Sequence, residues 1–369
     1  MMRVSLSACK QAQPLVSFPG GLNMEPFITR RRKDKVVVVM GATGTGKSRL
    51  SIDLAARFPA EIVNSDKMQV YKGLDIVTNK VSEEECHGFP HHLLGFVDPS
   101  ADFTAADFRQ HASLAIDAIV SRYRLPIIAG DSNSYIKALV NDEIEFQSKY
   151  DFCFLWVDVS FPVLHSFVSE RVDRMIRDGL VNEVREIFDP EADYTRGIRR
   201  AIGVPEMDEF LRSESTGDEE TRATLFREAI EKIKSNTCKL ACCQLQNILR
   251  LQNQMEWNLQ WIDATEAFLK RRGNAGGAWE SLVAEPSTMI VDQFLFQDDF
   301  VAAAISSASA PSSIIGATPA AVAAAIHYRE APGFSELITR NAVATPRSEM
   351  ELELPLVIYF LWFSFFALV

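Results

Sequence analysis

The sequence predicts an α/β fold, a parallel sheet flanked by helices, and three observations carry that expectation. Short apolar runs alternate with amphipathic stretches, the pattern of strands joined by crossover helices. The first run feeds directly into a glycine-rich loop, and that loop opens into a segment of helical periodicity. In order, "KVVVVM" (35–40) is β-branched, as a strand buried on both faces requires. "GATGTGKS" follows, and "SRLSIDLAARF" then repeats apolar residues at helical spacing. "AEIVNSD", "LPIIAGD" and "DFCFLWVDVS" supply further strands, and "AADFRQHASLAIDAIVSRY" is an amphipathic helix among them. From about Pro162 to Leu211 the character changes: "VLHSFVSERVDRMIRDGLVNEVREIF" is charged, helical in period and free of strand signals. "RSESTGDEETR" reads as an exposed linker, "ATLFREAIEKIKSNTCKLACCQLQNILRLQ" as one long helix, and "WNLQWIDAT" as a last strand. The expected plan is a leader (1–34), an α/β core (35–161), a smaller helical insertion (162–228), a helix and strand completing the core (229–296) and a low-complexity tail (297–369).

At 369 residues and 47% hydrophobic content the chain can bury a substantial core. A net charge of −11 argues against a protein that grips a nucleic-acid backbone, so no nucleic-acid partner is expected. The six cysteines show no paired C-x-x-C spacing with downstream histidines and are too few for a disulfide framework. A reducing compartment follows. The first 34 residues lack an apolar signal-peptide core and hold several Ser, Arg and Lys with only Glu25 and Asp34 as acids. That composition suits an organelle transit peptide or a cytosolic leader. The final "LPLVIYFLWFSFFALV" would reach roughly 24 Å as a helix, short of the ~30 Å hydrocarbon core. With Pro355 near its start and no basic residue directly flanking it, no membrane partner is expected.

The stretch Gly41-Ala42-Thr43-Gly44-Thr45-Gly46-Lys47-Ser48 matches G-x-x-x-x-G-K-[ST] and predicts a P-loop NTPase-like core. Backbone N–H groups of such a loop converge on phosphate oxygens, and the following helix adds its positive end. Lys47 brings an ammonium to the outer phosphate, and the Ser48 hydroxyl can bind Mg²⁺. The bland reading is a glycine loop with no ligand. Asp66 closes the apolar run "AEIVNSD" and belongs at the carboxyl end of the second strand, facing the same cleft. An acid there can bind metal, orient an amine, accept a proton, or simply cap a turn. Kinases, GTPases, ATPases and some other transferases share the loop. A kinase reading would take Asp158 as a Walker B acid and "RVDRMIRDG" as an arginine-bearing lid.

Together "GATGTGKS", "NSDKMQVYKGLDIVTNK", "HHLLGFVDP", "FTAADFR", "DSNSYIKALV", "LWVDVSFPVL", "RVDRMIRDGLVNEVREIFDPEADYTRGIRRAIGVPE" and "NTCKLACCQL" resemble the plant adenylate isopentenyltransferases, relatives of the tRNA dimethylallyltransferases. The resemblance runs from about residue 35 to 295. It implies that the loop holds the diphosphate of dimethylallyl diphosphate and that N6 of an adenine nucleotide attacks the allyl C1. Diphosphate then leaves. ATP and ADP are favoured over AMP as acceptors, and the reaction opens cytokinin biosynthesis. Asp66 matches the family's base, whose pKa need not be raised. Lys47, the loop N–H groups and Mg²⁺ at Ser48 carry the leaving-group charge, and the Thr43 hydroxyl matches a contact to the bridging diphosphate region. Of the cations in "YTRGIRRAIG" and on the later helix, Arg200 and Lys239 are implied to contact phosphates, with Arg196 and Arg199 left open. Many plant members are plastid proteins, which favours the plastid over the cytosol. A tRNA dimethylallyltransferase is the alternative activity.

Two residues depart from the family pattern. The family usually reads "AGGSNSY" where this chain has Gly130-Asp131-Ser132, and relatives typically carry arginine at Cys243. An Asp in place of glycine adds bulk and negative charge near a diphosphate. A lost charge-assisted contact costs on the order of 1.5–3 kcal/mol. These departures predict reduced activity, in the extreme a paralogue that binds nucleotides without turnover. Combining Asp131→Gly with Cys243→Arg is expected to raise kcat/KM.

Overall fold

The computed structural model describes residues 33–308, apart from 143, 215–216, 256 and 271–274. The expected transit peptide and the apolar terminus lie outside the described residues, among which no helix is long and apolar enough to cross a membrane.

Six strands form one sheet: β1 (Asp34–Met40), β2 (Ala60–Asn64), β3 (His91–His92), β4 (Leu125–Ala129), β5 (Tyr150–Asp158) and β6 (Leu259–Asp263). Their spatial order is β3-β2-β4-β1-β5-β6, and every pairing is parallel. Val37 of β1 lies opposite Ile127 of β4 on one side and Cys153 of β5 on the other. The chain leaves β1 for β2, returns to place β4 between them, and then crosses to β5 on the opposite flank. The carboxyl edge of β1 is therefore a switch point, where α/β sheets open a crevice for ligands.

The valine run of β1 is fully buried because both faces are covered. Val36, Val38 and Met40 pack in a core with Phe108 and Ile116 of α2 (Ala105–Ser121) and Ile136 of α3 (Asn133–Val140). Val37 and Val39 face the other way, towards Leu50 and Leu54 of α1 (Lys47–Ala55). A capping box starts α2. The Thr104 hydroxyl accepts from the Asp107 N–H at 3.2 Å, and the Asp107 carboxylate accepts from the Thr104 N–H at 2.8 Å. The short α4 (Ile144–Lys149) leads into β5.

The helix α5 (Phe161–Asp178) serves both cores: Leu164 and Val168 pack on the α1 side, Val172 and Met175 on the α2 side. A helix that changes layer in this way stands over the carboxyl edge of the sheet. It is followed by α6 (Leu180–Glu186), α7 (Asp208–Ser213) and the 37-residue α8 (Glu219–Met255), which lies against α5. After β6 come α9 (Thr265–Leu269), α10 (Ala275–Trp279), a π-helical turn (Glu280–Ala284) and α11 (Glu285–Ala308). Among the described residues, those up to Phe300 form one compact unit.

Three local features differ from or go beyond the sequence reading. The edge strand β3 is only two residues long and carries no apolar run, so nothing in its composition marks it. The helix α8 begins at Glu219, inside the stretch read as linker, because acidic residues suit a helix's first turn. The helix α11 continues to Ala308, past the point where apolar periodicity fades, on a run rich in alanine.

Candidate functional site

The loop after β1 is shaped by contacts that only glycine tolerates. A Cβ on Gly41 would lie 2.3 Å from the Val157 carbonyl oxygen. Gly46 has φ of 93° and presses against Trp279, whose ring would meet a Cβ at 2.5 Å. The Trp279 indole N–H is anchored to Asp53 at 2.7 Å, and the Arg49 guanidinium lies over the ring at 4.6 Å. The C-terminal segment thus braces the phosphate loop from outside.

Within the loop, Thr45 Oγ1 donates to the Ala42 carbonyl at 2.9 Å and Lys47 Nζ donates to the same oxygen at 2.7 Å. Lys47 is buried, and desolvation lowers its pKa, while the carboxylates of Asp131 and Asp66 act in the opposite sense. Thr43 ties the loop to two helices. Its N–H donates to Gln244 Oε1 of α8 at 2.7 Å, and its hydroxyl accepts from Arg171 Nη2 of α5 at 3.2 Å. Arg171 Nε is buried without a hydrogen-bond partner. A buried donor left unpaired is costly, which marks this guanidinium as a seat for an anion.

Asp66 lies two residues beyond β2. Its Oδ1 accepts from the N–H groups of Met68 at 2.7 Å and Gln69 at 3.1 Å, so the carboxylate does cap the following turn. It also lines the cleft. Burial, and then the neighbouring Asp131 carboxylate, raise its pKa from 3.8 to about 7. A raised pKa is not something the reaction requires of this base; it follows from a second acid and the depth of the cleft.

Two cavities share this wall. The first, about 370 Å³, is lined by the loop residues Thr43, Gly44, Gly46, Lys47 and Ser48, and by Asn64, Asp66, Asp131, Arg171, Arg174 and Trp279 among others. The second, about 440 Å³, is lined by Asp66, Ser132, Asn133, Arg200, Thr237 and Cys243 among others. Thr43, Asp66, Gln69, Asn79, Asp131 and Arg171 belong to both. The result is one cleft with a phosphate chamber and a second chamber, and Asp66 at their junction.

Of the sequence-predicted residues, the structure brings Thr43, Gly44, Gly46, Lys47, Ser48 and Asp66 into the first chamber and Arg200 into the second. Gly41, Ala42 and Thr45 shape the loop from behind, buried. Arg200 is held by the Gly197 carbonyl at 3.2 Å and the Tyr71 hydroxyl at 3.3 Å. Lys239 is exposed on α8, within 3.5 Å of Asn236 Oδ1, and lines neither chamber. Arg196 pairs with Asp102 at 2.7 Å, and Arg199 donates to the Ile187 carbonyl at 3.2 Å, so both serve local structure. Asp158, the candidate Walker B acid, accepts from Trp261 Nε1 at 3.2 Å and lines neither chamber.

Sequence reasoning missed Arg171, Gln244 and Trp279. A signal for Arg171 exists: it sits three residues after Val168 and four before Met175, on the buried stripe of α5, where a cation is out of place. The two departures also receive a structural account. The tight glycine position is Gly130, where a Cβ would lie 2.4 Å from Ser65 atoms, and this chain keeps it. Asp131 is not among the residues with positive φ, so its backbone is unstrained and the departure amounts to added charge. Cys243 is exposed on the wall of the second chamber.

The chamber fits a divalent cation. Ser48 is exposed at the start of α1, and Asp66 and Asp131 line the same space. Among the described residues no group of three or more His, Cys, Asp or Glu could cage a metal. Magnesium requires no such cage, since it commonly binds through one or two carboxylates, waters and substrate phosphates.

A family model described as IPP transferase matches residues 69–149 and 141–250. Adenylate isopentenyltransferase 5, chloroplastic, of Arabidopsis thaliana is 60% identical over 329 residues, spanning 88% of this chain and 99% of that protein. The chain belongs to the isopentenyltransferase family. Adenylate isopentenyltransferase 7, mitochondrial, from the same plant is 54% identical over 299 residues, 79% of this chain and 90% of that protein. Among solved structures, a eukaryotic dimethylallyltransferase acting on tRNA shares the fold with a TM-score of 0.63 at 24% identity, over 72% of this chain and 80% of that one. A tRNA isopentenylpyrophosphate transferase from Staphylococcus epidermidis gives a TM-score of 0.56 at 25% identity, over 71% and 100%. The P-loop NTPase-like fold is thus the isopentenyltransferase fold.

Proposed function

We propose that this isopentenyltransferase moves the dimethylallyl group of dimethylallyl diphosphate to N6 of an adenine nucleotide and releases diphosphate. The carrying observation is the junction: the Asp66 carboxylate, with Asp131 beside it, lines both the chamber formed by the glycine loop and a second chamber with its own cation, Arg200. Two substrates placed in the two chambers meet there in line, which converts an encounter into a positioned reaction. The N6–C1 bond forms as the C1–O bond to diphosphate breaks, and the N6 proton passes to Asp66. Lys47, Arg171 and the loop N–H groups hold the charge that grows on the departing oxygen. Mg²⁺ bound at Ser48 would add charge stabilisation to the leaving diphosphate.

The acceptor is read as ATP or ADP ahead of AMP, with Lys239, exposed midway along α8 and outside both chambers, serving phosphates that extend beyond the second chamber. Lys239→Ala should then weaken ATP use more than AMP use, and equal losses would remove Lys239 from that role. The relatives at 40–60% identity bear adenylate isopentenyltransferase names, which favours a free nucleotide over tRNA. The chloroplastic names among them support a plastid location; a first step in cytokinin formation is what the family resemblance implies. Incubation with dimethylallyl diphosphate, Mg²⁺ and each of ATP, ADP, AMP and tRNA, followed by mass analysis, tests the reading. A five-carbon adduct on free nucleotide is expected; an adduct on tRNA alone would overturn it.

A further inference from the structure

Asp131 has a defined topological place. β4 is the immediate partner of β1 in the sheet, and Asp131 follows β4 by two residues at the same edge from which the phosphate loop springs. It lines the phosphate chamber together with Ser48 and Lys47. In phosphate-loop proteins a hydroxyl of the loop and a separate Asp share the divalent cation that accompanies the phosphates. Asp158, the other candidate for that acid, is engaged by Trp261 away from the chamber.

The charges in the chamber point the same way. Lys47 and Arg171 each feel Asp131 as their foremost charged neighbour, ahead of Asp66. With glycine at position 131, the lining cations Lys47, Arg49, Arg171 and Arg174 would face only Asp66 and Glu85. Asp131 adds a third acid and halves that excess of positive charge. A bare diphosphate is attracted less strongly to the less positive cradle. The unpartnered buried Nε of Arg171 nevertheless marks the place as built for an anion. A divalent cation reconciles the two facts, because it is attracted by the carboxylates and attracts the diphosphate in turn.

We propose that Asp131 is a protein ligand of the divalent cation that enters with the donor diphosphate, sharing it with the Ser48 hydroxyl. This rests on the reading of the loop as a diphosphate site. It changes the meaning of the departure from the family pattern: Asp131 makes donor binding depend more on the metal instead of merely weakening it.

The test uses the full chain with inorganic diphosphate and Mn²⁺, without acceptor. Bound Mn²⁺ is read by electron paramagnetic resonance, and diphosphate binding by calorimetry with and without metal. In saturating diphosphate the unsubstituted protein should hold Mn²⁺ about tenfold or more tighter than Asp131→Asn or Asp131→Gly. Without metal, both variants should bind diphosphate more tightly than the unsubstituted chain. Unchanged Mn²⁺ affinity in both variants overturns the proposal, as does weaker metal-free diphosphate binding. A Lys47→Ala control separates the two levels of argument. If that change leaves diphosphate binding intact, the loop is not the diphosphate site and the functional reading falls. If it abolishes binding while the Asp131 variants retain Mn²⁺, the function stands and only the metal-ligand role is lost.

Discussion

Replacing Asp66 with Asn should lower activity and raise stability, and the stability gain should grow with pH. In the folded protein the Asp66 pKa is about 7 against 3.8 for the ordinary side chain. The folded state therefore binds a proton more tightly than the unfolded one. Stability from this group is fully present below the unfolded pKa and is lost as pH rises from about 4 to about 7, after which both states are ionised. At roughly 1.4 kcal/mol per pH decade the gap amounts to about 4 kcal/mol. Part of the shift comes from the neighbouring Asp131 charge and part from burial, so the difference that Asp66→Asn removes should fall at about 2–4 kcal/mol. Asparagine keeps a side-chain oxygen for the N–H groups of Met68 and Gln69, so the turn after β2 survives the change. The assay is urea denaturation of both proteins, free of metal and substrate, from pH 4 to pH 8. The variant minus wild-type difference should rise through this window and level off above pH 7. Parallel curves would refute the environment assigned to Asp66. In turnover assays the same substitution should cost about 10²–10⁴ in kcat, as expected for loss of a general base.

Arg171→Ala should weaken diphosphate binding by about one to two decades, the worth of a charge-assisted contact, measured by calorimetry. Arg171→Lys should restore little of it, because an ammonium cannot hold Thr43 and an anion in one fork. Cys243→Arg should tighten metal-bound diphosphate by about the same amount if the cation that relatives carry there grips the donor; unchanged affinity would make Cys243 a neutral departure. Gly46→Ala should destabilise the fold by denaturation, since its φ of 93° alone costs on the order of 1–3 kcal/mol. Adding Trp279→Ala relieves the 2.5 Å contact but leaves that backbone cost, so full recovery in the double variant would contradict the loop geometry.

The core sheet was legible because each principal strand is a short apolar run and both faces of β1 are covered. "KVVVVM", "AEIVNSD", "LPIIAGD" and "DFCFLWVDVS" coincide with β1, β2, β4 and β5 to within two residues at each end. The edge strand β3 was not legible, because two half-buried histidines paired to β2 leave no periodicity to read. At the site, Asp66 could be seen from sequence since strand ends point into the switch-point crevice. Gln244 and Trp279 could not. They reach the loop from 201 and 233 residues away, measured from Thr43 and Gly46, and only tertiary packing makes them its neighbours.

Asp131 shows what pattern comparison alone obscures. Set beside the family's glycine pair it reads as a blemish, a negative charge where a diphosphate should sit. The sheet order alters that judgement. Because β4 is inserted between β1 and β2, the residue two places after its end stands beside the loop that begins after β1. The glycine that the backbone needs is the preceding one, and it is retained. What remains at position 131 is a carboxylate facing Lys47 and Arg171 in a chamber that also holds the Ser48 hydroxyl. A like charge beside Asp66 raises that acid's pKa, and a divalent cation between the chamber's carboxylates and the diphosphate would remove the repulsion and lower it again. On that proposal donor, metal and base would be coupled through one added acid, and loading the leaving group with its cation would favour the ionised base.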